Sequence, residues 1–295
     1  MNTADYEMIK IIDQILNYGY IDVNPRPKYK DGTPAYTYSV NHTVRSYDLS
    51  KGEFPILNLR PIAWKTAIRE ILTIYQKPTN VISEMKAMGV TWWDEWDIGD
   101  GTIGQRYGAT VKRYDLIHNL IENIRNDPYG RRKVVSLWQE TDLRETPGLA
   151  PCAFLTIWNV RNDKNGYEYL DMALIQRSGD LLMASGPGCV NEVQYAVLLM
   201  MISRHCGYLP GVFTHFVANE QIYDRHIDQA NDLLERVHDL TDREHKYFKE
   251  KGNELPNPRL ILNPDKTDFY DITIDDFSMV NYDPIKPQLK LEIGI

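Results

Sequence analysis

The stretch 153–180 decides the fold: AFLTIWNV (153–160), a polar connector, then YLDMALIQ (169–176) running directly into RSGD (177–180). Both apolar runs are rich in β-branched and aromatic residues, and both are short, which favours strands over helices. KVVSLW (133–138) has the same character, so three strands are expected in succession. Cys152 stands at the head of the middle strand, in Ala150-Pro151-Cys152-Ala153. Gln176, Arg177, Ser178, Gly179 and Asp180 stand at the end of the last one. A cysteine beside an arginine can have a lowered pKa and act as a nucleophile at neutral pH. Gln, Arg, Ser and Asp within five residues offer a polar ligand both anion contacts and amide or carboxylate contacts. Together they point to covalent chemistry on a small polar anion.

Outward from this stretch, residues 4–18 read as an amphipathic helix with Met8, Ile11, Ile12 and Ile15 on one side. A Pro- and Lys-rich loop follows at 24–34, cationic and too short for a domain linker. Residues 61–76 read as a helix with Pro61 at its favoured start, and Ala63, Ala67, Glu70 and Ile74 share one stripe. Further helices are expected at 114–126, at 191–206 (apolar nearly all round, hence buried) and, more polar, from about 222 to 240. A short strand is expected near 212–218. Strands and helices intermix with no repeat and no boundary, so residues 1–295 are expected to form one α/β domain of the α+β kind.

The chain has 295 residues, 43% hydrophobic and 25% charged, as a globular protein with a sizeable core would. A net charge of −8 argues against nucleic acid as the main partner. No apolar run approaches the length of a membrane span, and residues 1–7 lack the basic start and apolar core of a signal peptide. Cys152, Cys189 and Cys206 are too few and too irregular for a disulfide framework or a paired metal site, which fits a reducing, cytoplasmic setting and no metal.

Each candidate has an ordinary reading beside the functional one. Most lone cysteines are small buried hydrophobes; Cys152 is raised above that by its place at a strand start near arginines. Glu70 either reaches water from a partly buried face or lines a cavity, and the pattern leaves both open. Arg131-Arg132 could be solvated charge, yet paired guanidiniums suit a phosphate. No Gly-rich phosphate loop is present, so side chains would do that work. Trp92, Trp93 and Trp96 could be core, or a stacking platform for a planar heterocycle.

These segments carry a resemblance over nearly the whole length. Asp31-Gly32-Thr33-Pro34, Glu70 in its helix, Trp93-Asp94-Glu95-Trp96, Gly104-Gln105-Arg106-Tyr107-Gly108, Arg131-Arg132, Ala150-Pro151-Cys152, Gln176 through Asp180, Ile222-Tyr223-Asp224-Arg225-His226 and an apolar tail occur in an order that resembles the thymidylate synthase family. The resemblance implies a mixed β-sheet flanked by helices and a homodimer joined sheet to sheet. The implied substrates are dUMP and 5,10-methylenetetrahydrofolate, with no metal and no nucleic acid. Carried onto this sequence, Cys152 is the nucleophile, Arg177 lies near its sulfur, and Glu70 and Tyr107 organise proton transfers. Arg26, Arg177 and Ser178 hold the phosphate, joined by Arg131 and Arg132 of the other subunit. Tyr223 meets the deoxyribose, and Gln176 joins the substrate site. Asp180, Trp93, Trp96 and the tail ending in Ile295 belong to the folate pocket.

The sequence departs from the family pattern in places. Ala153 stands where many members have histidine after the nucleophile, and Gln221 where many have histidine before the sugar-binding tyrosine. The pyrimidine-reading asparagine falls at Gly188 by simple spacing, or at Asn191 if the loop is longer; Asn191 keeps Tyr195 in register. Lys28 and Lys30 rival Arg26 as the loop cation. The same scaffold also serves folate-dependent hydroxymethylases of dUMP, dCMP or CMP, which would let water rather than hydride reach the methylene.

Overall fold

The computed structural model describes residues 1–294; Ile295, the expected end of the tail, lies outside the described residues. The strands are β1 (Tyr20–Ile21), β2 (Thr37–Asp48), β3 (Lys133–Ser136), β4 (Ala153–Asn162), β5 (Glu168–Gln176), β6 (Gly179–Asp180), β7 (Leu209–Tyr223), β8 (Arg259–Leu262) and β9 (Phe277–Val280). The α-helices are α1 (Thr3–Tyr18), α2 (Trp64–Ile71), α3 (Ile82–Ala87), α4 (Gly108–Arg113), α5 (Leu116–Asn126), α6 (Glu140–Glu145), α7 (Val190–Cys206) and α8 (Ile227–Lys251).

The main sheet runs β1-β2-β7-β5-β4-β3, with β6 also on β7. β5 and β6 lie parallel to β7, and the other neighbours are antiparallel. The parallel step needs a crossover, which α7 supplies between β6 and β7. The three strands expected at 133–176 therefore form one side of the sheet, and Cys152 and Arg177 sit at the adjoining ends of β4 and β5. The register sets Ala153 opposite Gln176, and the Arg177 N–H donates to the Cys152 carbonyl at 2.9 Å.

Alternate residues of the strands bury against the helices. Thr156, Trp158 and Val160 of β4, Met172 and Leu174 of β5, and Phe213 of β7 are buried on one face of the sheet, where α7, itself buried on nearly every side, packs on β5 and β7. One large apolar cluster runs from Ala4 to Leu289, with Tyr29, Ala35 and Tyr223 as a small satellite. Burying each large side chain in it contributes about 1.5–3 kcal/mol. α1 joins through Met8, Ile11, Ile12 and Ile15, and Asn2 and Asp5 cap it reciprocally.

Several boundaries differ from expectation. β2 has twelve residues and was not expected, because polar residues occupy both of its faces. β7 extends to fifteen residues, since its far half pairs with β2 as far as Thr37 opposite Tyr223. That pairing holds residues 222–223 in the sheet, so α8 begins at Ile227 and runs to Lys251 before Gly252 (φ 74°) ends it. Pro61 does not occupy the first turn of α2: Ala63 is the N-cap and the helix starts at Trp64. The expected 61–76 helix is α2 followed by a π-helical turn, Leu72–Gln76.

Candidate active site

Cys152 is half-buried at the entrance to β4, and Arg177 is folded over it. Arg177 donates from Nη2 to the Cys152 sulfur at 3.4 Å and to the Ala150 carbonyl at 2.8 Å, and from Nε to the Pro151 carbonyl at 3.0 Å. Its guanidinium also lies 5.9 Å from the Trp138 ring centre. Four contacts fix one side chain, so the charge beside the sulfur is positioned rather than roaming. The thiol is nevertheless pushed up from its ordinary value, because burial outweighs the pull of Arg177 and Arg26. The lowering expected from an adjacent arginine is thus present as a force but does not win in the free chain.

Glu70 is buried and points into the molecule. The indole N–H groups of Trp92 (2.9 Å) and Trp93 donate to its Oε1, and Gln194 Nε2 donates to Oε2. All three donors are neutral. Burial raises the carboxyl to about 7, against these hydrogen bonds, which lower it. Its ordinary reading, a carboxylate reaching water, is ruled out by its 6% exposure. Tyr107 stands nearby with its ring 5.2 Å from Trp93, and its hydroxyl accepts the Cys152 N–H at 3.4 Å. Its backbone is left-handed (φ 47°), a strained conformation for a bulky residue. Gly108 next to it allows the approach: a Cβ there would meet the Thr79 carbonyl oxygen at 2.3 Å.

A line of amides continues from Glu70. Asn191 Nδ2 donates to Gln194 Oε1 at 3.1 Å, and Gln176 Nε2 lies 3.5 Å from Asn191 Oδ1 and 3.0 Å from the Ser178 carbonyl. Asn191 and Gln194 fall one turn apart on α7 and both line the cavity. Gly188 is not among the residues that line it. Its φ is +67°, its carbonyl accepts from Leu57, and a Cβ would lie 2.5 Å from the Leu57 nitrogen.

The anion-binding candidates divide. Arg26 is the loop cation whose charge acts on both Cys152 and Tyr223, whereas Lys30 is paired with Glu95 at 2.7 Å. Ser178 lies between β5 and β6. Arg131 and Arg132 are exposed at the turn before β3, with no carboxylate partner among the described residues. Tyr223 is buried beside Tyr29 and His226 (ring centres 6.1 and 5.6 Å), and burial first, then Asp180 and Cys152, push its hydroxyl up to about 12. Asp180 accepts the Leu182 and Met183 N–H groups at 3.1 and 3.2 Å; burial raises it to about 6 in spite of them. Gln221 pairs with Asp180 across β6 and β7.

Cys152, Glu70, Tyr107, Asn191 and Gln194 line one cavity of about 400 Å³, walled by Trp93, Trp96, Leu149 and the tail residues Leu289, Leu291 and Ile293. Trp93 and Trp96 pack edge to face at 5.6 Å. Arg225 ties the tail down: it pairs with Glu292 (2.9 Å) and Asp31 (2.7 Å) and lies 3.9 Å from the Tyr29 ring centre. Sequence reasoning missed Gln194 and the hydrogen bond from Trp92. The i, i+3 spacing of Gln194 from Asn191 was the available signal. It also missed a buried ionic cluster on the sheet side of α7, where Arg45 pairs with Glu192 and Glu220 (2.6 Å) and contacts His215.

Fold and site together define an α/β protein with a tryptophan-walled cavity at whose edge a cysteine sits under an arginine. Residues 6–295 match the family model described as thymidylate synthase. Thymidylate synthase of Lactococcus lactis subsp. cremoris is 46% identical over 297 residues, covering both chains completely. That of Streptococcus pneumoniae is 45% identical over 298, again covering both. The solved thermostable thymidylate synthase A from Bacillus subtilis superimposes with a TM-score of 0.84 at 32% identity, over 99% of each chain. The chain belongs to the thymidylate synthase family.

Proposed function

We propose that this chain carries out the reductive methylation of dUMP by 5,10-methylenetetrahydrofolate, yielding dTMP and dihydrofolate, through a transient bond between Cys152 and pyrimidine C6. The observation that carries the reading is the sulfur of Cys152 under Arg177, in one cavity with Glu70 and the amide of Asn191. Uracil C6 is a Michaelis acceptor. As the sulfur adds, the ring electron pair moves to C5 and O4, and C5 becomes nucleophilic. Arg177 stabilises the sulfur as an anion, which burial alone would resist.

A proton must later leave C5. Glu70, at about 7, is matched to take and return protons near neutrality, with Tyr107 beside it. Arg26, Arg177 and Ser178 meet the phosphate, Tyr223 the deoxyribose hydroxyl, and Gln176, Asn191 and Gln221 the base and its surroundings. The cavity suits the flat rings of a folate: its volume is in the range of small-molecule sites, and Trp93, Trp96, Leu149 and Leu291 supply flat or apolar walls. Asp180 offers that ring a polar contact, and the tail residues Leu289, Leu291 and Ile293 close over it. When bound, the folate supplies the one-carbon unit and the hydride.

A homodimer belongs to the same reading. The sheet face away from α7 carries Val44 and Val134 (54% and 51% exposed), with Ile157, Ile175 and Phe216 half-buried beside them. An uncovered apolar sheet face favours pairing with a second copy. Arg131 and Arg132, exposed at the end of that sheet, would then reach the partner's phosphate site. Incubation of the protein with dUMP and methylenetetrahydrofolate should produce dihydrofolate absorbance together with dTMP, and Cys152→Ala should abolish turnover while dUMP still binds. A hydroxymethyl product without dihydrofolate, or turnover by Cys152→Ala, contradicts the reading.

A further inference from the structure

We propose that Arg45 and His215, buried on the sheet side of α7, lock in the direction that the Ser178 carbonyl imposes on the Gln176–Asn191 amides, and so help the site to accept uracil and refuse cytosine. This rests on Asn191 being the group that meets the pyrimidine edge.

The argument is one of donors and acceptors. Arg45 Nη2 lies 3.1 Å from His215 Nδ1, and His215 Nε2 lies 3.1 Å from Gln176 Oε1. Gln176 Nε2 faces Asn191 Oδ1, Asn191 Nδ2 faces Gln194 Oε1, and Gln194 Nε2 faces Glu70. The Ser178 end of the amide series imposes one direction, and Glu70 agrees with it when ionised. The Ser178 carbonyl, 3.0 Å from Gln176 Nε2, can only accept, so Gln176 must turn its oxygen to His215. At the other end, Glu70 as a carboxylate can only accept, so Gln194 must donate to it. His215 must then carry its proton on Nε2 and leave Nδ1 as an acceptor, which Arg45, a donor only, fills.

Glu192 Oε1 also lies 3.0 Å from Nδ1. A proton on Nδ1 would suit it, but would set His215 Nε2 against the Gln176 oxygen as two acceptors and point the Arg45 N–H at another N–H. Glu192 already receives Arg45 Nε and the Gly188 N–H at 2.7 Å. Burial and Arg45 press the His215 ring down to about 4, so it holds a single proton at neutral pH. The result is a one-way run of donors from a fixed cation to the Glu70 carboxylate, each bond polarising the next.

Asn191 is thereby held with oxygen towards Gln176 and nitrogen towards Gln194. Its remaining acceptor and donor positions complement an N–H beside a carbonyl, which is the N3–O4 edge of uracil. Cytosine presents the reverse. Turning Asn191 to suit it would set N–H against N–H at Gln176 and oxygen against oxygen at Gln194. Arg45 and His215 are positioning residues in this scheme; they touch no substrate.

Nitrogen-15 NMR of the wild-type protein should find His215 protonated on Nε2 and not on Nδ1; the opposite tautomer overturns the proposal. Calorimetric affinities for dUMP and dCMP should then be compared in wild type, His215→Phe and His215→Gln. His215→Phe should narrow the dUMP/dCMP affinity ratio by about tenfold or more, the scale of one mispaired buried hydrogen bond. His215→Gln, which keeps an acceptor for Arg45 and a donor for Gln176, should restore most of it. A merely structural histidine predicts equal weakening of both nucleotides, and an unchanged ratio in either folded variant overturns the proposal. Should His215→Phe fail to fold, the tautomer and the His215→Gln ratio still decide. Wild type with no preference for dUMP contradicts the functional reading itself, which separates that failure from this one.

Discussion

Glu70 of α2 and Glu192 in the first turn of α7 are both buried glutamates, and their environments drive them apart. Glu70 meets only neutral donors, two indoles and an amide, and burial lifts its carboxyl to about 7. Glu192 is also desolvated, but Arg45, helped by the Gly188 N–H, overcomes that and holds it down to about 2. Desolvation is common to both; the nearby cation is the difference. One side therefore has a carboxyl that can exchange a proton near neutrality, and the other a fixed anion that anchors structure. Glu220, which shares Arg45, is raised by its own burial.

The largest effect expected of this division is on turnover. Glu70→Gln should lower kcat by about 10²–10⁴-fold, the usual share of a general acid–base group; steady-state assay with dUMP measures it, and near-normal kcat would remove Glu70 from the chemistry. Next, Arg45→Met strands two buried carboxylates and should destabilise the fold by about 3–5 kcal/mol, read by urea unfolding. A loss below 1 kcal/mol would mean that the cluster is not the anchor described.

A smaller, pH-dependent difference sharpens the contrast. Glu70 binds its proton more tightly folded than unfolded, so its contribution to stability is complete below its ordinary value of 4.5 and lost as pH rises through 7. Glu192 is the reverse: its contribution is present above 4.5 and lost as pH falls towards 2. Between pH 5 and pH 8, Glu70→Gln should therefore gain in melting temperature relative to wild type. A constant offset across that range would show that Glu70 is not perturbed as described.

How much of this was legible in the sequence depended on how local the signal was. The strands at 133–176 and the helix at 191–206 announce themselves by runs of one character, and Cys152 and Arg177 flank the strands that bring them together. Glu70 stood out as a polar interruption of an apolar stripe, but only the fold supplied Trp92, Trp93 and Gln194 around it. Asn191 and Gly188 could not be separated by spacing; in the fold Asn191 lines the cavity, whereas Gly188 lies against residues 56–57. The Arg45 cluster was invisible because β2, α7 and β7 each contribute one or two ordinary polar residues, and only sheet pairing and helix packing bring them into contact. The missed strand β2 had hidden Arg45, since its inward face mixes Thr37, Ser39, Arg45 and Tyr47 rather than repeating one apolar type.

The most direct test of the account is mass spectrometry of the protein after incubation with 5-fluoro-dUMP and methylenetetrahydrofolate. Fluorine at C5 cannot leave as a proton does, so the bond to sulfur should persist. The account expects one nucleotide and one folate added per chain, mapped by proteolysis to the peptide bearing Cys152. An unmodified protein, or an adduct at Cys189 or Cys206, would contradict it.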